Sequence, residues 1–187
     1  MKLLSIVLLG IMAMGTVIEA AEMADVEMPD TISIGEKTVY LNGQGLRKKM
    51  WVKVYVGGLY LEEASSDPDT ILASGQAWRV NMHFLHGEVG VDKLNGAWID
   101  GFKKNTPGSL ETFAKEIDQF TSMFRTVVKH EEIWITYLPG EGLSVVIEGE
   151  EKGKIVSDEF ATAVLAIWLG PKPPSDDLKE GMLGLKD

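Results

Sequence analysis

Three observations predict an α+β fold with an antiparallel sheet and helices gathered on one face. Period-two alternation recurs in short segments of both halves of the chain, two amphipathic helical patterns follow one another in the middle, and a proline-glycine hairpin signal joins two strands after them. Strands, a helical pair, a hairpin and then further helices do not alternate as the units of a parallel α/β sheet would.

Met1-Lys2, an apolar run from Leu3 to Ile18 and then Glu19-Ala20-Ala21 have the three-part form of a secretory signal peptide. Residues 1–21 are therefore expected to direct export, giving a periplasmic or secreted product. The run is shorter than the roughly 20 apolar residues that span a bilayer comfortably, so an uncleaved signal segment is the one membrane attachment expected. The acidic stretch 22–29 is expected as a flexible leader, with a single folded domain over 30–187.

Thr31–Ile34 and Thr38–Leu41 are expected as two short strands around Gly35-Glu36. Asn42-Gly43 and Gly45 accept positive φ at little cost, which predicts a reversal that presents Arg47 from a tight loop. A long strand follows from about Met50. On it Met50, Val52, Val54 and Val56 share one face, while Trp51, Lys53, Tyr55, Leu59 and Leu61 share the other. Asp67 precedes a proline at the first helical position, so Pro68 to Ala73 is predicted as a short helix ended by Gly75.

In Trp78 to His86 the even positions are apolar through Phe84, the pattern of a sheet strand. Val91, Leu94, Trp98 and Phe102 recur at helical spacing; Leu110, Phe113, Ile117, Phe120 and Phe124 do so again after the candidate cap Ser109. Ile133–Leu138 and Leu143–Glu148 flank Pro139-Gly140-Glu141-Gly142 as a hairpin, and Lys152–Val156 is a third strand. Ser157 then caps a helix that buries Phe160, Ala161, Val164, Leu165 and Trp168 and stops at Gly170-Pro171. Asp176 to Leu183 closes the series as a short helix.

The chain has 187 residues, enough for one well-cored domain, and no cysteine, which removes disulfides, cysteine metal sites and thiol nucleophiles. Its 18 basic and 28 acidic residues give a net charge of −10, which repels phosphate backbones and anionic lipid at long range. Nucleic acid is not expected as a partner. A single buried arginine can still set the local potential against the global one.

The stretch Leu41–Glu62 is the most informative part of the chain. Gly45-Leu46-Arg47-Lys48-Lys49 followed by Val52-Lys53-Val54-Tyr55-Val56-Gly57-Gly58-Leu59-Tyr60-Leu61 resembles the signature of bacterial chalcone isomerase-like proteins. It is similar to the G-x-G-x-R turn and K-V-Y-x-x-G-L-Y strand shared by that fold, including its plant fatty-acid-binding members. Met82 to Leu85, Asp92-Lys93-Leu94 with Trp98, Gly101-Phe102 and Ala161 to Gly170 continue the resemblance more weakly. It implies an open-faced β-sandwich, in which a large sheet and a layer of helices enclose a cleft for a flat or elongated apolar molecule.

In the fatty-acid-binding relatives an arginine after the glycine turn and a tyrosine in the K-V-Y strand hold a ligand carboxylate, which the resemblance carries to Arg47 and Tyr55. The chemistry fits that role, since a guanidinium fork gives a carboxylate two charge-assisted hydrogen bonds and a phenol adds a third donor. The plainer alternative is an arginine that ties down loop carbonyls and a tyrosine that packs in the core. Trp51, on the Tyr55 face, is a candidate lining residue. Plant chalcone isomerases resemble the chain at the arginine but place threonine where Tyr55 stands. They also have a tyrosine and an asparagine where Gly90 and Ala97 fall, and a small polar residue near Ile167. Those three side chains offer a substrate oxygen no hydrogen bond, so chalcone cyclisation is not expected and no catalytic residue is assigned.

His83 and His86 lie three apart at a strand end and make a poor metal pair, and His130 beside Glu131-Glu132 suits a solvated loop. Lys48-Lys49 either steer an anion or are merely exposed. No metal, cofactor, phosphate loop or hydrolase elbow is indicated. The expectation is an exported, non-catalytic protein that binds a small apolar carboxylate of fatty-acid type. The alternatives are an isomerase or intramolecular lyase of the same fold on another substrate, and an envelope interaction module without a small ligand.

Overall fold

A computed structural model describes residues 21–186. The expected signal peptide, residues 1–21, lies outside the described residues except for Ala21. Strands β1 (Ala21–Met23) and β2 (Val26–Met28) form a hairpin in place of the expected flexible leader. The reason is apolar: Val26 and Met28 are buried against Val56, and Tyr60 donates its hydroxyl proton to the Pro29 carbonyl at 2.9 Å.

The main body is a seven-stranded antiparallel sheet. Its first four strands are β3 (Thr31–Ile34), β4 (Lys37–Lys49), β5 (Val52–Leu61) and, after helix α1 (Pro68–Ala73), β6 (Trp78–Phe84). Asp67 caps α1 as expected, its carboxylate accepting from the Asp69 amide at 3.1 Å. The chain then makes β7 (Glu88–Val89), α2 (Val91–Asn105), α3 (Ser109–Thr112), α4 (Ala114–Ser122) and β8 (Val127–Val128), with β7 and β8 paired to each other. It returns to the sheet as β9 (Glu132–Leu138), β10 (Gly142–Ile147) and β11 (Glu150–Ile155), and ends in α5 (Asp158–Leu169) and α6 (Asp176–Met182). The sheet order is β11-β10-β9-β6-β5-β4-β3, two meanders joined where β6 pairs with β9.

One face of the sheet carries Tyr55, Leu59, Leu61, Val80, Met82, Phe84, Ile133, Ile135, Val145 and Ile147, as the alternation requires, and packs against the helices. Across from it α2 contributes Leu94, Trp98 and Phe102, α4 contributes Ile117 and Phe120, and α5 is buried from Phe160 to Leu169 apart from Thr162. Each large side chain so buried contributes about 1.5–3 kcal/mol before the cost of ordering it.

Two expectations in the helical layer are corrected. The second amphipathic pattern is broken at Phe113 into α3 and α4, and Ser109 is the first residue of α3, not its cap. Gly108, at φ 80°, takes the capping position because the chain turns there through a left-handed residue, and the buried Ser109 hydroxyl has no partner among the described residues.

A third correction concerns the glycine stretch. Asn42-Gly43-Gln44-Gly45 is not a turn but the middle of the 13-residue strand β4, with a bulge between Leu41 and Gly43. The glycines are there for close approach: a Cβ on Gly43 would meet the Gly181 carbonyl, and one on Gly45 would meet the Leu178 backbone. A Cβ on Gly181 would in turn meet the Gln44 carbonyl, so α6 lies directly on β4, backbone to backbone. Asn42 fixes the docking, donating from Nδ2 to the Met182 carbonyl at 2.9 Å and accepting from the Ser65 amide at 2.8 Å.

Candidate functional site

The β4–β5 pairing places Arg47 opposite Tyr55. Cross-strand partners share a face, and here it is the face that meets the helices, since Tyr55 is 7% exposed and belongs to the main core. The register shifts just after Arg47, between it and Lys48. Arg47 is half-buried, and its Nη1 donates to the Lys48 carbonyl. Among the described residues its guanidinium makes no other hydrogen bond, so donors remain to it.

Behind it, the Trp168 indole donates to the Tyr55 hydroxyl at 3.2 Å, and the Phe84 ring lies 5.6 Å from the Tyr55 ring. Burial pushes the Tyr55 phenol up from 10.0 to about 12, against the Trp168 hydrogen bond and the Arg47 charge, which both pull it down. At neutral pH the phenol therefore keeps its proton, which has no acceptor among the described residues, on the strand position opposite a cation. A guanidinium and a neutral phenolic donor side by side are groups that can hydrogen-bond a carboxylate.

Sequence reasoning brings Arg47 and Tyr55 together but misses Trp168 as their neighbour. The available signal is the tryptophan on the inner stripe of α5, since a buried indole N–H seeks an acceptor and Tyr55 stands on the facing strand. Trp98, 5.6 Å from Trp168 ring to ring, is 3% exposed, and its Nε1 has no partner among the described residues. Around these indoles Phe102, Phe120, Phe124 and Phe160 close the interior edge to face.

Trp51 does not line this region. Met50 and Trp51 form the tip of the β4–β5 hairpin, and Trp51 is 82% exposed. Strand β5 starts at Val52, two residues later than the alternation suggests, because the turn takes Met50 and Trp51 out of the ladder. Lys48 and Lys49 flank the tip and are exposed.

The positions that matter for the isomerase comparison are also in view. Gly90 precedes α2 and offers no side-chain cap, Ala97 is exposed on α2, and Ile167 is packed against Gly101. His83 pairs through Nδ1 with Glu132 at 3.1 Å, and its ring neighbour is His130 at 5.9 Å, not His86. Among the described residues no cluster of His, Asp or Glu is arranged to hold a metal ion.

On the sheet face away from the helices Arg79 donates through Nε to Thr136 Oγ1 at 2.8 Å, with its guanidinium 4.9 Å from the centre of the Trp134 ring. It borders a shallow hollow of about 220 Å³ with Ser33, Ser144 and Lys154. A second hollow lies between the α1 and α6 ends, lined by Pro68, Lys179 and Leu183. Neither includes Arg47 or Tyr55.

Residues 20–184 match the family described as chalcone isomerase-like. The chain is 22% identical over 147 residues to Fatty-acid-binding protein 1 of Arabidopsis thaliana, covering 71% of this chain and 51% of that protein. It thus spans about half the length of the curated relative it matches. The crystal structure of an Arabidopsis thaliana fatty-acid binding protein superposes with a TM-score of 0.71 at 20% identity, covering 88% of this chain and 96% of the other, and so shares its fold. With the family match running from the first hairpin to the end of α6, the chain belongs to the chalcone isomerase-like family.

Proposed function

We propose that this protein binds an apolar molecule ending in a carboxylate, of the fatty-acid class, and does not convert it. Arg47 takes the carboxylate through its guanidinium fork and Tyr55 adds a phenolic donor. The observation that carries this reading is the β4–β5 register, which sets a half-buried cation and a buried, protonated phenol side by side on the helix-facing side of the sheet. The relative named for fatty-acid binding supports the ligand class. The absence of donor side chains at Gly90, Ala97 and Ile167 supports binding without turnover. The signal-like segment at residues 1–21 supports export to a periplasmic or extracellular location.

A second reading, an envelope interaction module with no small ligand, is favoured by one observation: the aromatic cluster of Trp98, Phe102, Phe120, Phe124, Phe160 and Trp168 fills the interior behind Tyr55. Native mass spectrometry of protein purified from its own cells, followed by denaturing extraction, separates the two. A co-purifying fatty acid, lost in Arg47→Ala, supports the first. Empty protein that also ignores a panel of fatty acids in calorimetric titration supports the second.

A further inference from the structure

The tip of the β4–β5 hairpin holds two residues that stability alone would not choose. Met50 has φ 56°, a left-handed conformation that glycine or asparagine adopts far more cheaply, yet a methionine is there and is 76% exposed. Trp51, at 82% exposure, is the most exposed of the five indoles; Trp78, Trp98 and Trp168 are buried and Trp134 is half-buried. Val52 adjoins them and is also exposed. Among the described residues neither Met50 nor Trp51 belongs to a hydrophobic cluster.

The charge around this tip opposes that of the whole protein. Lys48, Lys49 and Lys53 surround it, all exposed and none in an ion pair among the described residues, and Arg47 follows one residue further in. No acidic residue occurs between Glu36 and Glu62, although the chain has 28 of them. Of the acids on neighbouring elements, Asp177 on α6 is close enough to sense Lys48, but its partner is Lys186 at 2.6 Å.

A projecting tryptophan and methionine ringed by lysines, on a tight turn between two paired strands, suit one partner. We infer that the β4–β5 tip docks on an anionic lipid surface, with Trp51 and Met50 entering the headgroup region and Lys48, Lys49 and Lys53 meeting lipid phosphates. Tryptophan prefers that boundary, where its ring is apolar and its N–H finds acceptors. Lysines near an anionic leaflet each add about 1 kcal/mol of attraction, against a repulsion from the distant acids that is screened within about 10 Å. The inference stands apart from carboxylate binding, since it uses neither Arg47 nor Tyr55.

The test is flotation of the full protein with vesicles of phosphatidylcholine alone or mixed with phosphatidylglycerol, with tryptophan quenching by brominated lipid. The wild type should float with the mixed vesicles only, release with added salt, and show quenching that Trp51→Phe removes. Lys48→Gln/Lys49→Gln/Lys53→Gln should weaken binding on the order of 100-fold, from about 1 kcal/mol per lysine, and Trp51→Ala should weaken it further. All these positions are exposed, so unchanged melting curves show the variants folded. Failure to bind mixed vesicles, binding that survives both variants, or a Trp51→Ala effect confined to self-association in sedimentation would each overturn the inference.

Discussion

The Trp168 indole donates to the Tyr55 hydroxyl at 3.2 Å, tying α5 to β5 across 113 residues of chain. Both groups are buried, so each is the other's substitute for water. Tyr55→Phe would take from the Trp168 N–H its acceptor, beside a Trp98 N–H that has none among the described residues already. The expected cost is about 1–3 kcal/mol of stability, read as a lower urea midpoint at unchanged slope. The same variant should weaken a carboxylate ligand, though less than Arg47→Ala does.

Alkaline pH should act through the same phenol. Its pKa is raised by folding from 10.0 to about 12, so the folded state holds the proton more tightly than the unfolded chain. The resulting stability, roughly 2–3 kcal/mol, is fully present below pH 10 and is lost as pH rises through about 12. Burial raises Tyr60 and Tyr137 as well and adds to the fall. Urea midpoints measured from pH 9 upward should therefore decline less steeply in Tyr55→Phe than in wild type.

At the ligand site, Arg47→Ala should weaken binding of a long-chain carboxylate by roughly 2–4 kcal/mol, the cost of removing one partner of a desolvated charge pair. Arg47→Lys should restore only part of it, because an ammonium cannot present the planar fork. Calorimetric titration against the acid and its methyl ester checks the mechanism: the ester should bind wild type and Arg47→Ala alike.

Where α6 meets β4, Gly181→Ala or Gly45→Ala must push two backbones apart, and either should cost about 1–3 kcal/mol or more. Gly96→Ala is the control. Gly96 is exposed inside α2 with open space at its Cβ position, so alanine there should raise stability by about 0.5–1 kcal/mol. Thermal unfolding of the three variants should show both signs.

Glu62 offers a contrast in magnitudes. Its carboxylate accepts from Lys37 Nζ at 2.7 Å and from the backbone amide of the buried Ala77 at 2.6 Å. Lys37→Ala should cost under about 1 kcal/mol, as partly exposed ion pairs do, whereas Glu62→Ala strands the Ala77 amide and should cost about 1–3 kcal/mol. Chemical denaturation of both variants decides the order.

The elements legible in the sequence are those with a clean period or a cap. Strands β3, β6, β9 and β10 follow alternation, while α1 and α5 follow Asp67 and Ser157. Helix α2, strand β11 and helix α6 also stand where expected, while other features escape for identifiable reasons. Glycine serves a turn and a close approach equally well, so Gly43 and Gly45 cannot declare α6 as their partner. The segment Lys48-Lys49-Met50-Trp51-Val52-Lys53 contains none of the residues that usually mark a turn, so alternation alone assigns Trp51 to the strand. At the site, the Arg47–Tyr55 face comes from motif and alternation together, but Trp168 depends on how α5 crosses the sheet, which no local pattern encodes.

The sheet order also sets an order in time. Within β3 to β6 and within β9 to β11 every pairing joins consecutive strands of the sheet, so each meander can zip from short hairpins. The seam between them closes a longer loop, with His83 meeting Glu132 across 49 residues, and the α6 clasp on β4 spans 140 from Asn42 to Met182. Contacts so distant carry the largest entropy of closure and form slowly. Two quickly formed half-sheets should therefore wait on one seam, each with an unpaired strand edge open to other chains meanwhile, and concentration rather than temperature should govern how much protein is lost during refolding.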